Sequence, residues 1–432
     1  MVVSCGFIVV STRFMPPKTR ATRNAATPPP AGVPRVLYLA VALDLFSVAL
    51  VVPNLVYRWR ELGITPERLG AVSSVYSASQ IVGGLVIGHL GDRALGRKRA
   101  LLLSIVGAGV SYLIVGVASS LELLILSRVL VGLVKQTTTC CTALITQLSD
   151  EAGRVSALGR LSSVTTGAFL FGQSAGGKIA SVYGRRAPCY LAAAIFVVDF
   201  ALVQLCLPSP PPPPKLAADA TASVSKPRLR LEGFRSAFAG PAGPTLLFRL
   251  AYAFLMRSTY SLHGLYEQQR WELEPASTGY LASYKQALSL LIEAFLVGAL
   301  ARRMREASLL RCALALSAAN AAFERAHSRV ELYTAINLPL AAFAGAVTRT
   351  TAGSLFSKAV PTRDAGSALS ALDVLLAASN VLAPLYGGQL LGKLGVEAQP
   401  AIATAHYLAL LALAQLTLCG GAEKRGARPK AE

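Results

Sequence analysis

Apolar residues fall in long blocks of similar size, separated by short polar breaks. The blocks cover residues 36–57, 69–89, 100–118, 121–147, 157–181 and 187–207, then 244–265, 276–299, 307–323, 330–358, 365–391 and 400–420. Each is close to the ~20 residues that an α-helix needs to cross the hydrocarbon core of a bilayer. A helix satisfies its own backbone hydrogen bonds, which lipid cannot do, and the period-two alternation of a barrel strand is absent from these blocks. The pattern predicts an all-α membrane protein with twelve transmembrane helices in two sets of six. The fourth and tenth helices are long and polar at one end, and the ninth is short and Ala-rich.

The breaks divide the chain further. A basic tail at 1–35 leads into a six-helix bundle at 36–207, a linker at 208–243, a second six-helix bundle at 244–420 and a basic tail at 421–432. The linker opens with Pro210 to Pro214 and continues through Lys215, Lys226, Arg228, Arg230 and Arg235, a stiff spacer followed by a segment suited to skirting an anionic membrane surface. Nothing in it specifies a protein partner. The first 34 residues lack Asp and Glu; this suits a transit peptide and equally a basic cytoplasmic tail, and the tail is the reading adopted.

The two bundles repeat one another. Val134-Lys135-Gln136-Thr137-Thr138 pairs with Val347-Thr348-Arg349-Thr350-Thr351, Glu151-Ala152-Gly153 with Asp364-Ala365-Gly366, Gly176-Gly177 with Gly387-Gly388, and Gly88-His89-Leu90 with Gly298-Ala299-Leu300. Several matches in one order at near-constant spacing imply a duplicated unit, the parallel repeat that places a solute site between two halves near the bilayer midplane.

Charge changes the picture in two ways. Of 432 residues, 53% are hydrophobic and 15% charged, with a net charge of +20. That balance excludes an ordinary soluble enzyme, and the uncharged stretches leave no continuous basic face for nucleic acid. Lys and Arg instead cluster on one side of the predicted membrane, in the N-terminal tail, at Arg93, Arg97, Lys98 and Arg99, in the linker, at Arg302, Arg303 and Arg305, and in the C-terminal tail. The asymmetry predicts that both termini are cytoplasmic. Arg58, Arg60, Arg68, Lys178, Arg185, Arg186, Arg270, Arg325 and Arg329 run against it. Six of the seven cysteines lie in or beside spans and none has a metal or redox spacing, so they read as small packing residues, with no metal and no cofactor expected. No phosphate-binding G-x-x-x-x-G-K-(S/T) stretch occurs, so any coupling is to an ion gradient.

The loop after the second helix reads Gly88-His89-Leu90-Gly91-Asp92-Arg93-Ala94-Leu95-Gly96-Arg97-Lys98-Arg99. It resembles the G-x-L-x-D-R-x-G-R-(K/R)-(K/R) loop signature of the major facilitator superfamily, with one extra residue between Arg93 and Gly96. The resemblance implies a conformational latch formed by Gly88, Asp92, Arg93, Gly96, Arg97 and Lys98, in which a glycine allows close helix approach and the aspartate meets a helix terminus of the other half. Leu124, Arg128 and Gly132 are similar to a second pattern of the family. Gly167 and Gly172-Gln173-Ser174-Ala175-Gly176-Gly177 resemble the antiporter motif G-P-x-x-G-G with Gln173 in place of proline, while the second half has Pro384 before Gly387-Gly388. These glycines imply tight helix packing. Asp44, nine residues before Pro53, together with Gly132-Leu133-Val134-Lys135, is similar to tetracycline-resistance-type drug/proton carriers and their orphan eukaryotic relatives. The resemblance covers about 36–420 and implies the major facilitator fold, a first helix that lines the central cavity, and no enzymatic activity.

Charges inside spans are expensive and therefore candidates for function: Asp44, Arg128, Lys135, Asp199, Arg249, Arg257, Lys285, Glu293, Arg349 and Asp373. Asp44, Arg128, Lys135, Lys285, Glu293 and Asp373 form the candidate proton or solute cavity. Asp44, roughly 12 Å inside its helix at 1.5 Å per residue, must be paired or neutralised by a proton. Pairing with Arg128 as a fixed structural bridge is the alternative to a proton site. Lys285 and Glu293 share a helix face about 12 Å apart, too far to pair with each other. The expectation is a monomeric carrier of a small organic solute, working by alternating access with proton coupling, antiport before symport; a facilitative uniporter or a non-transporting receptor is the alternative.

Overall fold

The computed structural model describes residues 34–93, 96–149, 151–208, 238, 242–360 and 365–418. The tails and most of the linker lie outside the described residues, as do the side chains of His89, Leu90, Asp92 and Arg93.

Among the described residues, helical pieces that run on end to end make twelve rods: α1 (Arg35–Glu61), α2 (Pro66–Arg93), α3 (Arg97–Val117), α4 (Leu121–Leu148), α5 (Glu151–Tyr183), α6 (Ala187–Cys206), α7 (Ala242–Arg270), α8 (Pro275–Arg303), α9 (Glu306–Ala326), α10 (Val330–Ala359), α11 (Ala365–Leu394) and α12 (Gln399–Leu418). Each coincides with one predicted block. Among the described residues nine of them carry a window apolar enough to cross a membrane, and α5, α7 and α9 do not. Two of those three are dense in hydroxyls that bond back to their own helix: Ser163, Thr165 and Thr166 in α5 donate to the carbonyls of Gly159, Leu161 and Ser162, and Thr259 in α7 to that of Leu255. The polar groups are thereby satisfied without leaving the rod.

In the first six rods α1 packs against α5 and α6, α3 against α6 and α4, and α2 against α4. In the last six α7 packs against α11 and α12, α9 against α12 and α10, and α8 against α10. The two sets meet through α2 with α11 and α5 with α8. At these seams the repeated Gly-Gly pairs do equivalent jobs. A Cβ on Gly176 would sit 2.1 Å from the Leu50 carbonyl of α1, and one on Gly387 would sit 2.1 Å from the Ser258 carbonyl of α7. The second glycine of each pair faces the opposite half: Gly177 abuts Gly279 of α8, and Gly388 abuts Gly70 of α2, both with an added Cβ within 3.0 Å of a neighbouring Cα. Without side chains, the backbones approach closely enough for dispersion to hold helices that lipid does not drive together.

The rods are not uniform. Pro53 opens a 3-10 turn over Val52–Asn54 in α1, and the amide of Asn54 donates to the Leu50 carbonyl at 2.9 Å. α4 is broken at Lys135 and Gln136, whose backbones leave helical geometry. α8 and α10 contain π turns at Ile292–Leu296 and Tyr333–Asn337. The second half lacks the break at the repeated position, since Thr348 and Arg349 lie inside a continuous helix.

The described hydrogen bonds that join the halves lie between the middle of the bundle and the end opposite the chain termini. The Tyr57 hydroxyl donates to the Leu273 carbonyl at 2.6 Å and lies 2.6 Å from the Thr278 hydroxyl, Arg60 binds Gln268, and the Ala276 N–H donates to Ser181 at 3.0 Å. Deeper in, Ser174 and Ser283 are 2.6 Å apart, and Ser283 donates to the Leu170 carbonyl at 2.6 Å. Several arginines that oppose the charge bias are used at this end. Arg58 donates to the Ala118 carbonyl and pairs with Glu61, Arg185 also pairs with Glu61 at 2.9 Å, and Arg270 pairs with Glu397 at 2.9 Å.

Candidate functional site

The break in α4 builds the most buried ionic site of the first half. At Lys135 the chain leaves one helix, and at Thr137 it begins another of twelve residues, Thr137–Leu148. The freed Gln136 N–H donates to the Ser104 hydroxyl of α3 at 2.8 Å, and Ser104 lies 2.9 Å from the Thr137 hydroxyl. Thr137 in turn donates to Asp44 of α1 at 2.9 Å, and Lys135 pairs with the other oxygen of the same carboxylate. Asp44 is fully buried. It therefore receives an ammonium and a hydroxyl donor beside the first turn of Thr137–Leu148.

The bridge to Arg128 weighed from sequence is not formed. Arg128 precedes the break by seven residues of α4, roughly 10 Å along the axis, whereas Asp44 lies level with the break itself. Arg128 is instead buried against Ser127 at 3.2 Å, Ser111 at 3.5 Å and the ring of Tyr112 at 5.3 Å. A second acid that joins the centre is Asp199 of α6, fully buried and within electrostatic reach of Asp44 and Lys135. The Lys135 ammonium lies 5.3 Å from the ring centre of Phe196, one turn before Asp199.

The second half has no such centre at the matching place. The seams align Leu50 with Ser258, an offset that carries Asp44 to Tyr252. Tyr252 lies within electrostatic reach of Tyr407 on α12, and Thr348 occupies the position of Lys135. Neutral side chains thus stand at the two aligned positions, with Arg349 the charge in reach of Tyr252.

Lys285 and Glu293, separate as expected, find different partners. Lys285 pairs with Glu267 of α7, which also accepts from Tyr333 of the α10 π turn and lies 3.2 Å from His263. Gln399 completes the group at 2.7 Å from the other ring nitrogen of His263. Glu293, in the α8 π turn, pairs with Arg349 at 2.6 Å, both side chains partly exposed. Asp373 is exposed, with Arg249 the charge in reach. Sequence reading missed Glu267, His263 and Tyr333: His263 and Glu267 stand at i and i+4 on one helix, but Tyr333 lies 70 residues from His263 and meets them only in the fold.

The loop signature divides. Gly96 has φ of +76°, a backbone that favours glycine, and it ends the turn before α3. Arg97 binds the Ala143 carbonyl and Gln147, both at 3.0 Å, and Lys98 donates to the carbonyls of Gln204 and Leu207 at the end of α6. These contacts stay within the first half. Gly88 has open space where a Cβ would be, as has Gly167, so the close approach expected of them is not made; Gly172 and Gly132 do face neighbours, against α1 and α2 respectively. Of the described cysteines, Cys140, Cys141 and Cys189 are buried as packing residues, while Cys206 and Cys312 are exposed.

Comparison with known proteins places this geometry. The sequence profile of the Major Facilitator Superfamily matches residues 37–384. Solute carrier family 22 member 18 of Rattus norvegicus is 25% identical over 374 residues, covering 85% of this chain and 90% of the relative. The quinolone resistance protein NorA of Staphylococcus aureus (strain MRSA252) is 26% identical over 241 residues, covering 56% of this chain and 60% of the relative. The crystal structure of the nucleoside transporter NupG superposes with a TM-score of 0.69 at 14% identity, over 89% of this chain and 98% of that one.

Proposed function

The chain belongs to the major facilitator superfamily of multi-pass membrane transporters, and from that premise we propose that it moves a small organic solute by alternating access, as a proton-coupled antiporter. Its two functional units are the six-helix bundles at 36–207 and 244–420, it works as a monomer, and both termini face the cytoplasm. The observation that carries the coupling is the Asp44 and Lys135 pair, a charge centre built on a fully buried carboxylate at a helix break, with Tyr252 and Thr348 at the two aligned positions of the second half. Helix breaks at membrane depth recur where coupling ions and solutes bind, because the freed backbone and helix ends supply polar groups there. Intramembrane ionisable groups with no packing duty are kept for ion or solute pathways.

Among the described residues, hydrogen bonds joining the halves run from the middle to the far end, which supports a state open toward the termini, hence toward the cytoplasm. Arg349 and Glu293, partly exposed and opposite in charge, offer polar groups to a solute entering from that side. The likeness to a quinolone resistance protein supports an amphipathic organic solute. The closed geometry of the Asp44 and Lys135 pair favours one second reading, a facilitative uniporter in which the pair is structural.

The test is a solute screen on purified protein in liposomes, with and without an imposed pH gradient. Uptake against a solute gradient that disappears when the pH gradient is collapsed is the expected result. Equal downhill flux under both conditions would leave the uniporter.

A further inference from the structure

Asp199 is the one acid of the first-half centre that the pairing just described does not use. It lies on α6, fully buried, and neither carboxyl oxygen has a hydrogen-bond partner among the described residues. The titratable groups facing it are Asp44 from α1 and Lys135 and Cys141 from α4, with the Tyr112 phenol of α3 beside Asp44. The only cation among these is Lys135, and it is already paired with Asp44. Two fully buried acids therefore compete for one ammonium.

The two acids are not equivalent. Asp44 has the ammonium and the Thr137 hydroxyl. Asp199 has no donor among the described residues. An isolated buried carboxylate costs far more than a buried carboxylic acid, and a site that ionised both acids would carry one uncompensated negative charge. Like-charged carboxyls sharing a site resolve this by holding one proton between them, and it settles where the anion is least stabilised.

We propose that Asp199 is a proton-binding site, which holds a proton whenever Asp44 is paired with Lys135. Release of that proton to water makes the centre net negative, so release requires rearrangement: Lys135 must be shared between the acids, or a positive group must enter. Because Lys135 is anchored at the break in α4, moving it moves the junction of the two half-helices, which couples proton release to helix geometry. The assignment rests on the proton-coupled reading above for its role in transport, and on the buried acid alone for the proton.

Infrared difference spectroscopy on purified protein, reading the carbonyl stretch of protonated carboxyl groups, tests it without knowledge of the solute. The expected result is a protonated-carboxyl band at neutral pH that is lost in Asp199→Asn and weakened in Asp44→Asn, where Lys135 is freed to pair with Asp199. Lys135→Met supplies a second variant should Asp199→Asn not fold: with the only cation gone, the band should grow as Asp44 takes up a proton too. A band lost in Asp44→Asn but kept in Asp199→Asn overturns the assignment, as does the absence of any such band in the native protein, or an unchanged band in Lys135→Met. The liposome measurement separates the two readings. A native band assigned to Asp199 with pH-indifferent flux upholds the proton site and removes the coupling. Uphill pH-driven flux with no Asp199 band does the reverse.

Discussion

Asp44 and its partners show how a buried charge is retained in lipid. Its carboxylate meets Lys135 and Thr137 at the break of α4, and Thr137 is itself placed by Ser104 of α3, so three helices converge on one acid. Breaking a buried pair by removing one member leaves an uncompensated charge, at a cost of about 3–5 kcal/mol. Lys135→Met should therefore lower the melting temperature of the purified protein, and Asp44→Asn added to it should restore most of the loss. The alternative bridge predicts a different rescue. If Arg128 were the partner, Arg128→Gln rather than Lys135→Met would offset the destabilisation of Asp44→Asn; with Arg128 held by Ser111, Ser127 and Tyr112, its removal should add to that destabilisation. Thermal unfolding of the single and double variants distinguishes the two cycles.

The helices themselves were legible because lipid imposes a length and a composition, and every block from 36–57 to 400–420 became a rod displaced by only a few residues at its ends. The charged residues were legible as a set for the same reason. Their pairing was not: a span reveals that Asp44, Arg128, Lys135 and Asp199 are inside, but the break at Lys135 and Gln136 decides which of them meet, and no glycine or proline stands at the break to announce it. The Glu267, His263, Tyr333 and Gln399 group depends likewise on a π turn and on three separate rods. The glycines were legible as packing residues where both repeats carry them, at Gly176-Gly177 and Gly387-Gly388, and misleading where only a loop resemblance pointed to them, at Gly88. The repeated pairs support a prediction at this scale. A valine at Gly176 overpacks α5 against α1 within one half, so it should cost about 1–3 kcal/mol of stability. A valine at Gly177 presses instead on Gly279 and the Pro275 carbonyl of the other half. It should leave unfolding of the bundle nearly unchanged and part the halves, read as faster labelling of a cysteine placed at Thr278 by a thiol reagent applied from the far side.

At the scale of the whole molecule, the described hydrogen bonds between the halves gather toward one end. Arginines opposed to the charge bias, Arg58, Arg60, Arg185 and Arg270, are spent on contacts at that end, so they do not weigh against the proposed orientation, in which the opposite side is cytoplasmic. Protease sites or tags placed in both termini and in the linker at 208–243 should be accessible from the cytoplasmic side only; cleavage from the other side would reverse the orientation. Transport by alternating access then requires the far-end contacts to open once per cycle. The Ser181 and Ala276 contact, 3.0 Å between hydroxyl and backbone N–H, joins α5 to α8 near the far end of that seam. A Ser181→Cys/Ala276→Cys pair, in a background where the exposed Cys206 and Cys312 are replaced, should be joined by a short cleavable bifunctional thiol reagent. The cross-linked protein should stay folded and keep solute access from the terminal side, because the contact already exists in this state. Its net transport in liposomes should fall to background and return when the linker is cleaved, since a state that cannot open at the far end cannot complete the cycle. Undiminished transport in the cross-linked protein would mean that α5 and α8 stay together throughout, and that the halves open elsewhere.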